Sequence, residues 1–395
     1  MDFAAHWTLD PSIDFLNHGS FGATPRAALE LQAELRARME RQPVRFFRDL
    51  EGLLDEARAK IAGFVGADAD DLALVPNTTT AVNTIVRSLE LEAGDELLTT
   101  DHAYNACRNA LRWHEGRGVR VVHARVPWPV AGPHQVIDAV LAGVSPRTRL
   151  LLLDHVTSPT GVVFPARELV RLMSERGIDT LVDGAHAPGM LPLDLRALGA
   201  AYYAGNLHKW TCAPKGAAFL HVRRDRQAAV KPIAHGHGLN SGRTDRSPFR
   251  LQHDWIATTD PTPWLVAPFC LELLGGLLPG GFPALLERNH ALAVEAQRRL
   301  CAALGVAAPA PEFMLGSLAA VPLPDHRGEP APKTGAYYHP LQRALLEEHR
   351  IEVPVFSFPG HPRQLVRFSA QIYNTVEQVD RLAAALQKLT GAGPR

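Results

Sequence analysis

Residues Asp179 to Trp210 read DTLVDGAHAPGMLPLDLRALGAAYYAGNLHKW. Thr180-Leu181-Val182 is short, apolar and β-prone, and Asp183 closes it. His186 stands three residues further on, and the dipeptide His208-Lys209 lies 25 to 26 residues after the Asp. Taken singly these residues are ordinary: most strand-end Asp residues cap a helix, and most Lys residues are solvated. Together they put a carboxylate at the C-terminal end of a buried strand and an amine among small and aromatic neighbours. That pairing is what pyridoxal 5'-phosphate (PLP) needs. The Lys209 amine would form a Schiff base with the cofactor aldehyde. Asp183 would keep the pyridine nitrogen protonated, which makes the ring an electron sink.

Outward from this stretch the chain alternates between strands and helices. Strands are predicted at Leu72–Val75, Glu96–Thr99, Arg120–Arg125, Leu150–Asp154, Thr180–Asp183, Ala201–Ala204 and Ala217–Val222. Helices are predicted between them at Thr79–Leu89, Ala103–Arg117, Pro133–Ala142 and Pro165–Arg176, after two N-terminal stretches with helical spacing, Leu29–Arg38 and Leu50–Phe64. The fold class is therefore α/β: a mainly parallel seven-stranded sheet flanked by helices. Ligands of such sheets sit beyond the carboxyl ends of the strands, where Asp183 falls.

Residues 233–263 are rich in Gly, His, Arg, Ser, Thr and Pro and read as a long irregular loop, a functional or mobile element. The apolar run Trp264 to Leu278 is too short and too broken by Glu272 and Gly275-Gly276 to span a bilayer, and reads as a buried linking helix. Beyond it, helices are predicted at Ala267–Leu278, Phe282–Leu304, Tyr337–His349 and Val376–Leu389. Strands are predicted at Ser317–Val321, Ile351–Val355 and Leu365–Ser369, and the segment Leu323 to Ala336 reads as a loop. This is a smaller α+β C-terminal domain.

The 395 residues carry 41 Lys+Arg against 41 Asp+Glu, so charge gives no reason to expect nucleic acid or an anionic membrane as partner. No metal-ligand spacing appears among the 18 His residues. Cys107, Cys212, Cys270 and Cys301 form no C-x-x-C pair, which favours a reducing compartment, here the cytoplasm. The N-terminal MDFAAHWTLDPSIDF lacks the basic-then-apolar pattern of a signal peptide.

Four further segments carry candidate chemistry. Asn77-Thr78-Thr79-Thr80 joins a strand to a helix, so its hydroxyls and N–H groups either cradle a phosphate, with Thr78 and Thr79 as contacts, or form a plain N-cap. Neither a P-loop nor a G-x-G-x-x-G motif is present, which argues against a nucleotide. Asp101-His102-Ala103-Tyr104 offers a ring to stack on the pyridine: Tyr104 first, His102 second, with core packing the alternative. Asp154 to Gly161 is a polar turn after the strand LLLLD, where Ser158 contacts the ring hydroxyl or the substrate, or simply leaves the strand. Arg367, in VRFSAQIYNT, has the planar fork that an amino-acid carboxylate requires, unless it lies on an exposed edge strand.

FLNHGSFGATP (Phe15 to Pro25), VDGAHAPG around Asp183, YAGNLHKW around Lys209, TTDP-T-PWL around Thr258 and RFSAQIYNT (Arg367 to Thr375) together resemble the class V aminotransferase family. This is a family of fold-type I PLP enzymes, and the likeness falls in its isopenicillin N epimerase-like branch. The resemblance runs nearly end to end.

It implies that Lys209 also moves the α-proton and that His186 reaches the ring hydroxyl. Thr78, Thr79, Asn206 and His208 would meet the phosphate. Thr258 would reach the phosphate of a neighbouring subunit, making a homodimer with shared active sites. Arg367 would bind the α-carboxylate of a small-molecule amino-acid substrate. Asn17, His18 and Gly19 would line the substrate side, with Arg45 at a distal acidic group. The implied organisation is an N-terminal segment 1–25 contributing to the active site, a large PLP-binding domain 26–265, a linking helix 266–280 and a small domain 281–395.

The implied reaction passes through an external aldimine and a carbanion, and ends in epimerisation, C–S cleavage or transamination. Epimerisation requires a second acid opposite Lys209, for which His18, His102 and Tyr104 are candidates. The family commonly has Gly-Thr where this chain has Ala257-Thr258. The stretch VFSFPGHPRQLVR lacks the reactive Cys of cysteine desulfurases, which argues against persulfide chemistry.

Overall fold

The computed structural model describes residues 2–328 and 339–393. Twelve strands are named here in chain order. A short β1 (Asp14–Phe15) precedes β2 (Leu72–Val75), β3 (Glu96–Thr100), β4 (Arg120–Ala124), β5 (Thr148–Asp154), β6 (Asp179–Asp183), β7 (Tyr202–Asn206) and β8 (Ala218–Val222). The last four are β9 (Leu318–Leu323), β10 (Ile351–Glu352), β11 (Val355–Ser357) and β12 (Gln364–Ser369).

Strands β2 to β8 form the predicted seven-stranded sheet, in the order β2-β8-β7-β6-β5-β3-β4. All run parallel except β8, which is antiparallel to both of its neighbours. Alternate residues face opposite layers, as the period of two demands. Leu72, Leu74, Val182, Tyr203 and Phe219 pack in one cluster with helix residues Phe46, Leu54, Ile61 and Val266. Ala73, Val75, Leu181, Tyr202 and Leu220 pack on the other side with Ile85 and Leu111. Covering both faces explains why Leu150 to Leu153 are all fully buried, each contributing on the order of 1.5–3 kcal/mol of hydrophobic stabilisation.

The smaller unit is an antiparallel sheet of order β11-β12-β9, covered by helices Gly281–Leu304 and Val376–Thr390. The N-terminal segment is tied to this unit: β1 pairs in parallel with β10, Asp14 opposite Ile351. The predicted strand Ile351–Val355 is therefore two strands with different partners. Pro354 interrupts it, because proline has no N–H for a ladder; its carbonyl instead accepts the Arg367 N–H at 3.1 Å.

The stretch 233–263 is less irregular than its composition suggests. It holds a 3₁₀ turn at His237–Asn240 and a helix at Pro248–Asp254, whose Arg250 pairs with Asp55, Asp70 and Asp254. The predicted helix Ala103–Arg117 is an α-helix only over Asn105–Leu111 and tightens to 3₁₀ over Arg112–Arg117. Of the predicted helix Tyr337–His349, residues 337 and 338 lie outside the described residues, and the rest is helical over Pro340–His349. Residues 329–336 of the expected loop Leu323 to Ala336 also lie outside them.

Among the described residues no single helix is long and apolar enough to cross a membrane. The pair Thr262–Gly276 and Gly281–Leu304, bent by 74°, passes that test only jointly, by length and composition.

Candidate active site

One cavity of about 350 Å³ lies beyond the carboxyl ends of the parallel strands. Most of its wall comes from strand exits. Pro76 to Thr79 follow β2, Tyr104 and Cys107 follow β3, Asp154 and Ser158 follow β5, Asp183 to His186 follow β6, and Asn206 to Lys209 follow β7. This is where an open α/β sheet places ligands.

Lys209 sits on the loop between the antiparallel β7 and β8. Leu207 N–H donates to Ala217 O and Ala213 N–H to Leu207 O, while fully buried Trp210 anchors the loop from below. Lys209 Nζ lies 3.1 Å from His186 Nε2, and the Trp210 indole N–H donates to His186 Nδ1 at 3.3 Å. An indole N–H can only donate. His186 Nδ1 is thus the acceptor and the ring proton rides on Nε2, so the 3.1 Å contact suits Lys209 in its neutral amine form. Burial, then the nearby Arg367 guanidinium, draws the Lys209 amine down to about 8. Burial likewise holds His186 well below the ordinary imidazole range.

Asp183 Oδ1 accepts from Ala185 N–H at 3.0 Å, and Oδ2 accepts from the Cys107 thiol at 3.1 Å. Burial pushes the carboxyl above its usual range, opposed by those two donors and by Lys209. Burial and the adjoining Asp183 push the Cys107 thiol well up, so it stays protonated.

On the β2 side, Asn77 caps the helix Thr78–Ser88: its Oδ1 accepts Thr80 N–H at 2.8 Å. Asn206 Oδ1 accepts Thr78 N–H at 2.9 Å. The Thr78 hydroxyl is buried without a hydrogen-bond partner. A helix N-terminus with a spare hydroxyl suits a phosphate. His208 Nδ1 donates to Ala217 O at 3.0 Å, and burial lowers the ring to about 4, which leaves it neutral.

Arg367 of β12 does not itself line the cavity; it comes from the small sheet and stands behind Ser158 and Ser20, which do. It is 1% exposed and donates to Ser158 O, and to Ser20 Oγ at 3.2 Å, with Phe356 5.1 Å beneath its guanidinium. A buried strand therefore carries it, not an exposed edge.

The N-terminal segment meets the cavity differently from expectation. Ser20 and Phe21 line it; Asn17, His18 and Gly19 do not. Asn17 Nδ2 donates to Glu352 Oε1 at 2.9 Å, and its Oδ1 holds the Ser20 hydroxyl. Gly19 N–H donates to Ser369 Oγ at 3.2 Å. His18 is turned away behind the lysine loop, with Nδ1 2.7 Å from the Tyr373 hydroxyl and Nε2 3.0 Å from the Lys209 carbonyl. Burial lowers it to about 3, so it cannot serve as an acid in the cavity.

His102 is also misassigned by the sequence. It is packed among Trp128, Phe164 and Phe358, its Nδ1 2.8 Å from Thr160 Oγ1. Tyr104 lines the cavity and is half exposed. Arg45 lies on the exposed face of helix Pro43–Val65, 4.0 Å from Asp49 Oδ2, and lines no part of the cavity. Thr258 is exposed and outside the lining of its own chain's cavity.

Sequence reasoning missed Ser20, Phe21, Cys107 and Lys215, and named Asp154 only as the start of a polar turn. Cys107 had a faint signal, standing one helical turn after Tyr104.

The donor set, the lysine amine, the buried carboxylate and the anion site fit PLP, and the sheet with its carboxyl-end cavity defines a fold-type I PLP enzyme. The family description "Aminotransferase class-V" matches residues 24–307. The chain belongs to that family. It is 37% identical to an isopenicillin N epimerase of Amycolatopsis lactamdurans, over 97% of this chain and 96% of that protein. It is 31% identical to a probable chloroplastic L-cysteine desulfhydrase of Arabidopsis thaliana, over 99% and 85%. A solved cystine C–S lyase, complexed with cysteine persulfide, superposes with a TM-score of 0.82 at 22% identity, over 97% and 99%. This last likeness concerns the fold.

Proposed function

We propose that the protein is a PLP-dependent enzyme acting at the α-carbon of an amino acid, most like an isopenicillin N epimerase. The observation that carries this reading is the meeting, in one cavity, of Lys209, Asp183 and the helix N-terminus at Thr78 and Thr79, with Arg367 bonded to the lining residue Ser158.

The cofactor, when bound, supplies an electron sink for the charge left on the α-carbon. Lys209 holds it through Nζ, Asp183 meets its ring nitrogen and His186 its ring hydroxyl. Thr78, Thr79, Asn206 and His208 take the phosphate, and Thr258 of a second copy completes that cradle in a homodimer. Tyr104 covers the ring. Arg367, steadied by Ser158 and Ser20, binds the substrate carboxylate as a fork. That contact orients the α C–H toward Lys209, whose burial suits its amine to take and return a proton near neutral pH. The same reading divides the chain at 1–25, 26–265, 266–280 and 281–395. Four free, buried cysteines support a cytoplasmic setting.

Epimerisation needs a proton donor on the face opposite Lys209. With His18 and His102 locked elsewhere, Tyr104 is the candidate that lines the cavity. The same observation favours a second reading, C–S cleavage of a cysteine conjugate, because elimination requires no opposite-face acid. Cys107 does not support persulfide chemistry, since its thiol is kept protonated against Asp183.

The deciding experiment follows an L-amino-acid substrate in deuterated water with the wild type and Tyr104→Phe. Epimerase chemistry gives deuterated D-product that Tyr104→Phe loses. Label entering only with retention excludes it. Pyruvate release from cysteine conjugates, undiminished in Tyr104→Phe, establishes the lyase instead.

A further inference from the structure

Two buried carboxyl groups stand side by side in this cavity, and the reading above uses only one. Asp154 closes β5 as Asp183 closes β6, and the two are register partners across the parallel pair. Register partners point to the same face of a sheet, on strands about 4.8 Å apart. Both are buried and both line the cavity.

Their surroundings differ. Asp183 accepts two hydrogen bonds, from Ala185 N–H and the Cys107 thiol. Asp154 accepts from the Tyr104 N–H and from its own backbone N–H, while its Oδ2 is buried without a partner. The charged and titratable groups facing the pair are Lys209, Arg108, Cys107 and Tyr203. Burial keeps the Cys107 thiol and the Tyr203 phenol protonated. Two carboxylates this close, out of water, cannot both ionise, and the charge stays with the better-solvated member. A second uncompensated charge at Asp154 Oδ2 would carry the full cost of burial.

We propose that only one of Asp154 and Asp183 ionises, Asp154 keeping its proton, so that the cavity presents a single negative charge to the ring nitrogen. The functional half of this rests on the assignment of Asp183 above. Asp154 is then a positioning residue. It holds the Tyr104 backbone from one oxygen and limits the charge beside Asp183 from the other. Burial raises Asp154 well above the carboxylate range, with Asp183 the next cause, in keeping with that order.

Infrared spectroscopy of the cofactor-free protein at neutral pH tests the pair directly. The expected result is a protonated-carboxyl band that shifts with carboxyl-labelled aspartate and is lost in Asp154→Asn. Should that variant not fold, Asp154→Thr takes its place. An absent band in the labelled wild type, which needs no variant, overturns the proposal, and so does a band that survives the substitution.

In the cofactor-loaded enzyme, Asp154→Asn exchanges one neutral group for another, so the pH profile of visible absorbance stays near that of the wild type. A shift as large as that of Asp183→Asn would mean that Asp154 is charged, and would also overturn it. The two assignments fail separately. Borohydride fixation of cofactor at Lys209 without the band keeps the cofactor reading and removes the pair. The band without cofactor uptake does the reverse.

Discussion

Lys209 and His186 show how far one hydrogen bond determines chemistry. The Trp210 indole, which can only donate, settles the His186 tautomer, and that tautomer offers its Nε2–H to the neutral form of the lysine. Lys209→Ala should then lower turnover by at least the 10²–10⁴-fold typical of a lost acid–base group, and should abolish borohydride fixation of cofactor. The pH dependence follows from the same burial. With the ammonium form disfavoured, the amine is free above about 8, not above the usual 10.5. Covalent cofactor uptake by the apoprotein should therefore fall as pH drops through about 8, and a stopped-flow profile bending near 10 instead would contradict this. Arg367→Lys keeps the charge but loses the fork. A hydrogen bond to a charged group is worth about 1.5–3 kcal/mol, so KM should rise about tenfold or more while kcat changes less; steady-state kinetics separates the two.

At the scale of elements, the lysine loop is shaped by a glycine far away in sequence. Gly22 has φ +70, and a Cβ there would come within 2.0 Å of the His208 carbonyl. Gly22→Ala must push the loop carrying Lys209 or strain its own turn. Its expected signature is a lower melting temperature together with faster cofactor loss, and a variant with wild-type cofactor retention would show the contact to be slack. No reading of FLNHGSFG reveals this, because the partner lies 186 residues away and only the tertiary fold unites them.

The same limit explains which parts of the site were legible. Asp183, Lys209, Thr79 and Ser158 sit at strand exits, and strand exits follow from periodicity. Arg367 was legible because a charge in an apolar strand demands a use. His18 and His102 were misread for one reason: a polar ring in a motif looks available until its hydrogen-bond partners, the Lys209 carbonyl and the Thr160 hydroxyl, are found far along the chain. Strand Ile351–Val355 was misjudged because its two halves answer to different partners, Asp14–Phe15 and β12.

At the scale of the whole molecule, Thr258 decides whether one chain suffices. It is exposed, on a segment that skirts an apolar cavity of about 420 Å³ lined by Phe47, Leu50, Leu54, Trp255 and Trp264. That cavity shares Pro76, Lys215 and Gly216 with the one around Lys209. If Thr258 serves the phosphate of a second copy in a two-fold dimer, each site takes Lys209 from one chain and Thr258 from the other. Mixing then becomes a measurement. At limiting cofactor, Lys209→Ala and Thr258→Ala homodimers should each be impaired, the first completely. After co-refolding in equal amounts, half the dimers are mixed, and each mixed dimer has one site with both residues intact. Activity should therefore recover to about a quarter of the wild type by random assortment. Were Thr258 to serve its own chain, every Thr258→Ala chain would stay impaired beside any partner, and mixing would give only the average of the two parents. The recovered fraction thus distinguishes a shared site from a self-contained one without any further structure.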